Sequence, residues 1–278
     1  VADRLLAVED SRRGETRYSY TPTGQLERAE YPDGRERWRK SDQTGNLYPD
    51  PDMKLRRYLG GGRLEQDGEW HCEYDADGNL TERYLGTGRW LDGKKDRWRY
   101  RWNADGSLAK VVRPDKREVE FTYDALGRRL SKSFGTTVMR WVWNGNVPLH
   151  QWKQHREYSV VEDRWNTDME RRDMTVWLFD EEAFVPVAMI KEGRSYSILT
   201  DQLGTPTEAY DAEGNEVWSR VLDMDGNVIG ETGNRGMIPF LFQGQYYDRE
   251  TGLAYNRFRY YSPKMGMYVS QDPIGLDG

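Results

Sequence analysis

The sequence contains one cysteine, Cys72, so no internal disulfide can staple it. A lone thiol suits folding under reducing conditions, and with no His or Lys motif beside it Cys72 is expected to be packed rather than reactive. Histidine is almost as scarce, with only His71, His150 and His155. A zinc centre needs three or four convergent ligands, and neither the adjacent His71-Cys72 nor His150 and His155 offers a familiar ligand spacing, so no metal and no cofactor are expected. Long apolar runs are missing too. The stretch Phe184 to Ile190 stops far short of the roughly 20 residues that cross a bilayer as a helix, so no membrane span is expected. Blocks of one charge are absent: 41 basic and 47 acidic residues are interspersed and leave a net charge of −6, which argues against nucleic acid as a partner because phosphate binding needs a concentrated basic face. The chain opens Val1-Ala2-Asp3-Arg4 with neither an initiator Met nor a charged-then-apolar leader, and reads as a piece of a longer protein.

What is abundant points to sheet. Eleven Trp, eighteen Tyr and seven Phe accompany 28 Gly, while the hydrophobic share is only 36%, thin for a helical core but sufficient for a turn-rich β protein. A unit recurs along the chain: an aromatic, a short polar turn ending in Gly, then Leu or Val. It is clearest at Tyr74-Asp75-Ala76-Asp77-Gly78-Asn79-Leu80, Trp102-Asn103-Ala104-Asp105-Gly106-Ser107-Leu108 and Tyr123-Asp124-Ala125-Leu126-Gly127. Weaker copies lie at Asp42 to Leu47, Asp201 to Gly204, Asp211 to Asn215 and Asp223 to Val228. The physics is that of a β-hairpin: Asp or Asn opens the turn through its side chain, Gly takes the positive-φ position, and the flanks alternate as strands. Val119, Phe121 and Tyr123 would then share one sheet face.

Hairpins of this kind bury their apolar faces only by stacking side by side, so the expected fold is all-β, an antiparallel sheet that spirals or closes around a space. A propeller is less favoured because the turn spacing is irregular and no blade signature is present. Residues 148 to 173 lack turn glycines, carry dense mixed charge, and read as a long exposed hairpin or insertion. The abundant aromatics are expected mainly to pair across strands and stiffen a single-layer sheet, so that no thick core is needed.

Near residue 236 the character changes. The run Asp248-Arg249-Glu250-Thr251-Gly252-Leu253, then Arg259-Tyr260-Tyr261-Ser262-Pro263, then Asp272-Pro273-Ile274-Gly275-Leu276 resembles the terminal core of Rhs proteins, the YD-repeat family that includes the C components of insecticidal Tc toxins and, more distantly, teneurins. The upstream Tyr-Asp-x-x-Gly turns are similar to the same family's repeat, so the resemblance covers essentially the whole chain. It implies a hollow β-shell built by residues 1–235, part of a spiralling cocoon. It also implies a closing core at 236–278 that seals a C-terminal toxin inside, and release of that toxin by an aspartyl self-protease.

Matched residue by residue, the resemblance assigns Arg259 and Asp272 to the cleavage site. Two carboxylates sharing a proton can activate water against a peptide carbonyl, and a neighbouring cation keeps one of them ionised as the base. The strands expected around the Ser262 to Gly266 turn would bring Arg259 and Asp272 to one end of a hairpin. The family's second Asp lies in a further Asp-Pro-x-Gly-Leu motif downstream, so the chain to Gly278 alone is expected to hold half a dyad and to be inactive as a protease. The implied partners are the enclosed toxin, the remaining N-terminal shell, and a secretion apparatus or chaperone. The implied setting is the bacterial cytoplasm before export, then delivery to a target cell, as in type VI secretion between competing bacteria. The competing reading is a carbohydrate-binding or adhesive module that displays its aromatics outward.

Overall fold

The computed structural model describes residues 4–86, 94–181 and 183–272, in two compact units: Val1–Glu73 with Arg83–Lys95, and Tyr74–Glu82 with Asp96–Gly278. Among the described residues the regular structure is antiparallel strand, with one 3-10 turn at Gly60–Gly62 and no α-helix.

In the first unit Ala7–Asp10, Gly14–Tyr20, Leu26–Glu30 and Glu36–Trp38 form a four-stranded meander. The short pair Lys40–Ser41 and Leu47–Tyr48 follows, then Arg56–Tyr58, Leu64–Asp67 and Trp70–Tyr74 pair in sequence. Few side chains are fully buried here, Ala29, Leu64 and Cys72 among them. Arginines cover the aromatic faces instead: Arg28 lies 5.2 Å from the Trp38 ring and Arg83 lies 4.1 Å from that of Trp70.

The second unit is organised by a long meander. From Lys95–Trp102 to Val228–Gly233, strand follows strand in antiparallel register, without the four-strand breaks a propeller requires. The sequence repeat explains the hairpins atom by atom. Asp124 accepts the backbone N–H groups of Leu126 and Arg128, both at 2.9 Å, while Gly127 sits at φ +75° and donates to the Asp124 carbonyl at 3.0 Å. The ladder slips by one residue beside the turn, between Thr122 and Tyr123, as a turn closed by a left-handed glycine demands. Asp201, Asp211 and Asp223 each accept the same pair of N–H groups.

The aromatic of each unit reaches back to the unit before. Trp102 Nε1 donates to the Leu80 carbonyl at 2.8 Å, the Tyr123 hydroxyl to that of Leu108 at 2.8 Å, and Trp143 Nε1 to that of Arg129 at 2.7 Å. Aromatic, turn and Leu therefore recur together because each hairpin's polar aromatic edge satisfies a carbonyl of its neighbour.

The segment expected as a long exposed hairpin or insertion holds both a sheet strand and an exposed hairpin. Val147–Ser159 is a thirteen-residue strand whose first part lies in the sheet between Thr137–Asn144 and Arg172–Phe179. Its outer end pairs with Arg164–Thr167 as a separate exposed hairpin. Absence of turn glycines marks a longer strand that runs from the sheet into the exposed hairpin.

After the meander the chain makes a small sheet of Tyr246–Asp248, Leu253–Asn256, Arg259–Ser262 and Met267–Tyr268. It packs against the meander, and a row of aromatic pairs forms across that seam. Trp141 meets Tyr246 edge-on at 5.3 Å, Trp143 meets Tyr255 at 5.9 Å, Phe121 meets Tyr260 at 5.5 Å, and Trp177 meets Phe240 at 4.8 Å. Cross-strand pairing within one sheet accounts for only a few contacts, such as Tyr158 with Trp165 and Tyr261 with Tyr268. The expected single-layer sheet is thus two layers thick in this unit, with a core between them.

Candidate functional site

The hairpin carrying the two sequence-predicted residues forms as the spacing suggests. Tyr261 is opposite Tyr268 and Ser262 opposite Met267, and the Val269 N–H extends the pairing to the Tyr260 carbonyl at 2.9 Å. Arg259 begins one strand and Asp272 follows the other, and the structure brings them together: Arg259 Nη1 lies 2.8 Å from Asp272 Oδ2. Both remain partly open, with side chains 30% and 39% exposed, so the carboxylate is accessible to water.

Arg259 is also stacked, its guanidinium carbon 3.9 Å from the centre of the Tyr268 ring. Tyr268 is in turn fixed by its hydroxyl, which accepts from Asn256 Nδ2 at 2.7 Å. A planar guanidinium on an aromatic face keeps its N–H fork free to point at a carboxylate. The sequence reading had no signal for Tyr268 and Asn256 beyond the general wealth of aromatics. Among the described residues no group of three or more His, Cys, Asp or Glu could hold a metal ion, and His71 stacks on Tyr84 at 5.5 Å.

What fastens the terminal sheet, of which this hairpin is part, to the meander is a buried network with no local signature in the sequence. Asp248 is 0% exposed and faces two cations: it accepts from Arg129 Nη1 and, at 2.9 Å, from Lys132 Nζ, which also reaches Glu250 at 2.7 Å. Arg129 is 1% exposed and lies 4.4 Å from the Trp141 ring and 4.6 Å from that of Tyr255. Burial alone would push the Arg129 and Lys132 pKa values down, but the Asp248 carboxylate reverses this, helped by Glu250 at Lys132, and both cations are held above their ordinary values. Burial pushes the neighbouring Tyr246 phenol up to about 12, so it stays neutral. The Tyr260 hydroxyl joins Tyr123 at 2.8 Å and completes a polar core.

The same segment grips the repeat turns. Tyr255 donates to the Gly127 carbonyl at 3.1 Å, Gln243 to that of Leu203 at 2.6 Å, and Tyr261 to that of Asp225 at 3.0 Å. In an antiparallel meander alternate turns lie at the same end, and these three belong to one row. The glycines there serve twice. A Cβ on Gly127 would lie 2.9 Å from the Phe258 ring and one on Gly226 3.1 Å from that of Phe242, whereas Gly214, at the opposite end, meets nothing within 4 Å.

The repeat meander and the sheet that follows it have counterparts in known proteins, for the teneurin YD-shell family model matches residues 3–277. The chain belongs to the teneurin YD-shell family. Among curated relatives it is 33% identical to double-stranded DNA deaminase toxin A of Burkholderia cenocepacia over 302 aligned positions, covering all of this chain and 20% of that protein. It is 33% identical to the toxin protein Tse5 of Pseudomonas aeruginosa over 244 positions, covering 78% of this chain and 18% of that one. The chain therefore spans about a fifth of the length of these relatives.

The fold of the YD-shell chain matches solved structures as well. A crystal structure of TcdB2-TccC3-TEV aligns with TM-score 0.53 at 14% identity over 94% of this chain and 16% of that one. Another, of TcdB2-TccC3, gives TM-score 0.50 at 17% identity over 94% of this chain and 12% of that one. At such identity the likeness concerns fold. This is an all-β YD-shell segment of the kind found in toxin proteins. The Asp248 network left little trace in sequence: Arg129 and Lys132 lie on a strand that otherwise reads as half exposed.

Proposed function

We propose that this segment closes a β-shell around a C-terminal toxin and supplies Arg259 and Asp272 to the site that cuts the toxin free. The observation that carries the reading is the ion pair at 2.8 Å on a partly open hairpin, part of a sheet that a buried charge network anchors at Asp248. A cut needs a carboxylate held where water and a peptide carbonyl can meet, on a support that does not yield. Asp272 acts as the base that takes a proton from water, Arg259 fixes its orientation, and a second carboxylate from a further Asp-Pro-x-Gly motif protonates the leaving amine. The products are one new carboxylate and one new amine.

The likeness to toxin proteins at one third identity supports a toxin as cargo, with the rest of the shell as structural partner. Delivery from a bacterial cytoplasm to competing cells, through a type VI apparatus or with chaperone help, belongs to the same reading. The charge balance of −6 and the interspersed signs support a protein guest over nucleic acid. Residues 236–278 act as the closing part, which the separate four-stranded sheet supports.

The test uses a longer protein that carries this segment, the second motif and a tail. Asp272→Asn is expected to abolish release of the tail, read as a single band on a denaturing gel, while the soluble shell keeps its circular dichroism. Normal processing in that variant would sink the assignment. Tyr268→Leu is expected to slow release without blocking it, since it removes the stacking surface and leaves both charged groups.

A further inference from the structure

A concavity in the second unit carries a charge that nothing nearby fully answers. It has a volume of about 130 Å³ and is lined by Lys132, Arg220, Arg249, Glu250 and the rings of Tyr246 and Tyr247, with Ile238 and Pro239. Arg220 is 3% exposed. Its Nη1 donates to the Ile238 carbonyl at 3.1 Å and its Nη2 to that of Phe240, and its Nε has no hydrogen-bond partner. Two backbone carbonyls are neutral acceptors, so a guanidinium with five N–H groups lies buried without a carboxylate in contact.

The surrounding charges do not make up the difference. Arg249 is taken by Glu231, at 2.5 Å, and that acid also accepts from Trp218 Nε1 and the Gly236 N–H, both at 2.9 Å. Lys132 is shared by Asp248 and Glu250, and Asp248 also holds Arg129. Four cations, Arg129, Lys132, Arg220 and Arg249, therefore face three anions, Asp248, Glu250 and Glu231. The excess is one positive charge, on the one cation with no ionic contact. Burial lowers the Arg220 pKa to about 10, only partly offset by the Glu231 charge, and the nearby Arg249 charge lowers it further.

We propose that Arg220, with Arg249 and Lys132 at the rim, forms a binding site for one carboxylate group. A planar guanidinium matches a carboxylate through parallel N–H donors, and a space of about 130 Å³ admits the group with room for a few waters at about 30 Å³ each. Glu250, on the same rim, is the internal competitor, because its carboxylate already holds Lys132. The ligand is a free small carboxylate or the side chain of an acidic residue on a bound polypeptide. The site is distinct from Arg259 and Asp272 and does not depend on the self-cleavage reading.

Acetate and, separately, acetyl-glutamyl-amide peptide are titrated into the protein at constant ionic strength, with heat and the fluorescence of Trp218, whose ring lies 4.9 Å from the Arg220 guanidinium, as readouts. Saturable binding of acetate is expected, and saturation by the peptide as well identifies an amino-acid side chain as a source, whereas acetate alone identifies the free anion. Arg249→Gln is expected to weaken binding by about ten-fold, and Glu250→Gln to tighten it by a similar factor by removing the competitor. The second variant serves if the first fails to fold. No saturable response in the wild-type protein, or equal affinity in wild type and Glu250→Gln, would overturn the proposal.

Discussion

Asp248→Asn is the most informative single substitution, because it changes a charge and almost no volume at a fully buried position. The main-chain role of the residue survives: its carbonyl still accepts from Thr251 at 3.1 Å and Gly252 at 2.8 Å, so the turn is kept. What is lost is the anion between Arg129 and Lys132. Lys132 retains Glu250 at 2.7 Å, so the penalty falls mainly on Arg129, which is 1% exposed and whose Nε already lacks a partner. Removing one partner of a buried pair and leaving the other charged costs about 3–5 kcal/mol. That is roughly two to three and a half decades in the equilibrium between docked and undocked terminal sheet. Urea unfolding followed by tryptophan fluorescence reads it directly, since the Trp141 ring lies 4.4 Å from the Arg129 guanidinium. Adding Arg129→Met to Asp248→Asn removes the stranded charge and is expected to recover much of the loss, because an apolar replacement of a buried pair is often nearly neutral. A cost below about 1 kcal/mol for the single variant, or a double variant as unstable as the summed singles, would refute a charge-based anchor.

Alkaline pH tests the same core from the other side. The pKa values of Tyr246, near 12, and of Tyr123, Tyr255, Tyr260 and Lys132 are raised in the folded protein, so the native state holds protons that the unfolded chain releases above about pH 10. Stability is therefore expected to hold to about pH 10 and to fall as pH rises beyond it, opposed by Arg220, whose pKa shifts the other way. A melting temperature that is flat to pH 12 would contradict this. Gly127→Ala and Gly106→Ala share a positive φ, +75° and +78°, but only the first places a Cβ against Phe258. The first is expected to cost about 1 kcal/mol more in urea unfolding, and Phe258→Ala to cancel that excess. Cys72, buried in the first unit, is expected to react with a thiol reagent only as fast as that unit opens, so a rapid reaction in native buffer would show the thiol to be exposed.

The hairpin repeat was legible in sequence because its causes are local. An Asp that binds two following N–H groups, a glycine at positive φ and alternating flanks act within about eight residues, so Tyr123 to Leu130 specifies its own turn wherever it is placed. The hairpin that joins Arg259 to Asp272 belongs to the same class, since one turn links its two strands. The family was legible for a different reason, in that the terminal motifs are dense enough to identify it.

Tertiary structure alone decided which residues meet across the seam. Arg129 and Asp248 stand 119 residues apart, and Tyr123 and Tyr260 stand 137 apart. No periodicity links such pairs, and a strand bearing Arg129 and Lys132 reads in isolation as polar and solvent-facing. The modest apolar content follows from that arrangement. A thin sheet with little core was the natural expectation from composition, yet the second unit does have a core, built partly from guanidinium, ammonium and carboxylate groups satisfied by one another and by aromatic faces. Local chemistry set the strands and turns, while burial, which depends on what covers a surface, set which charges became structural.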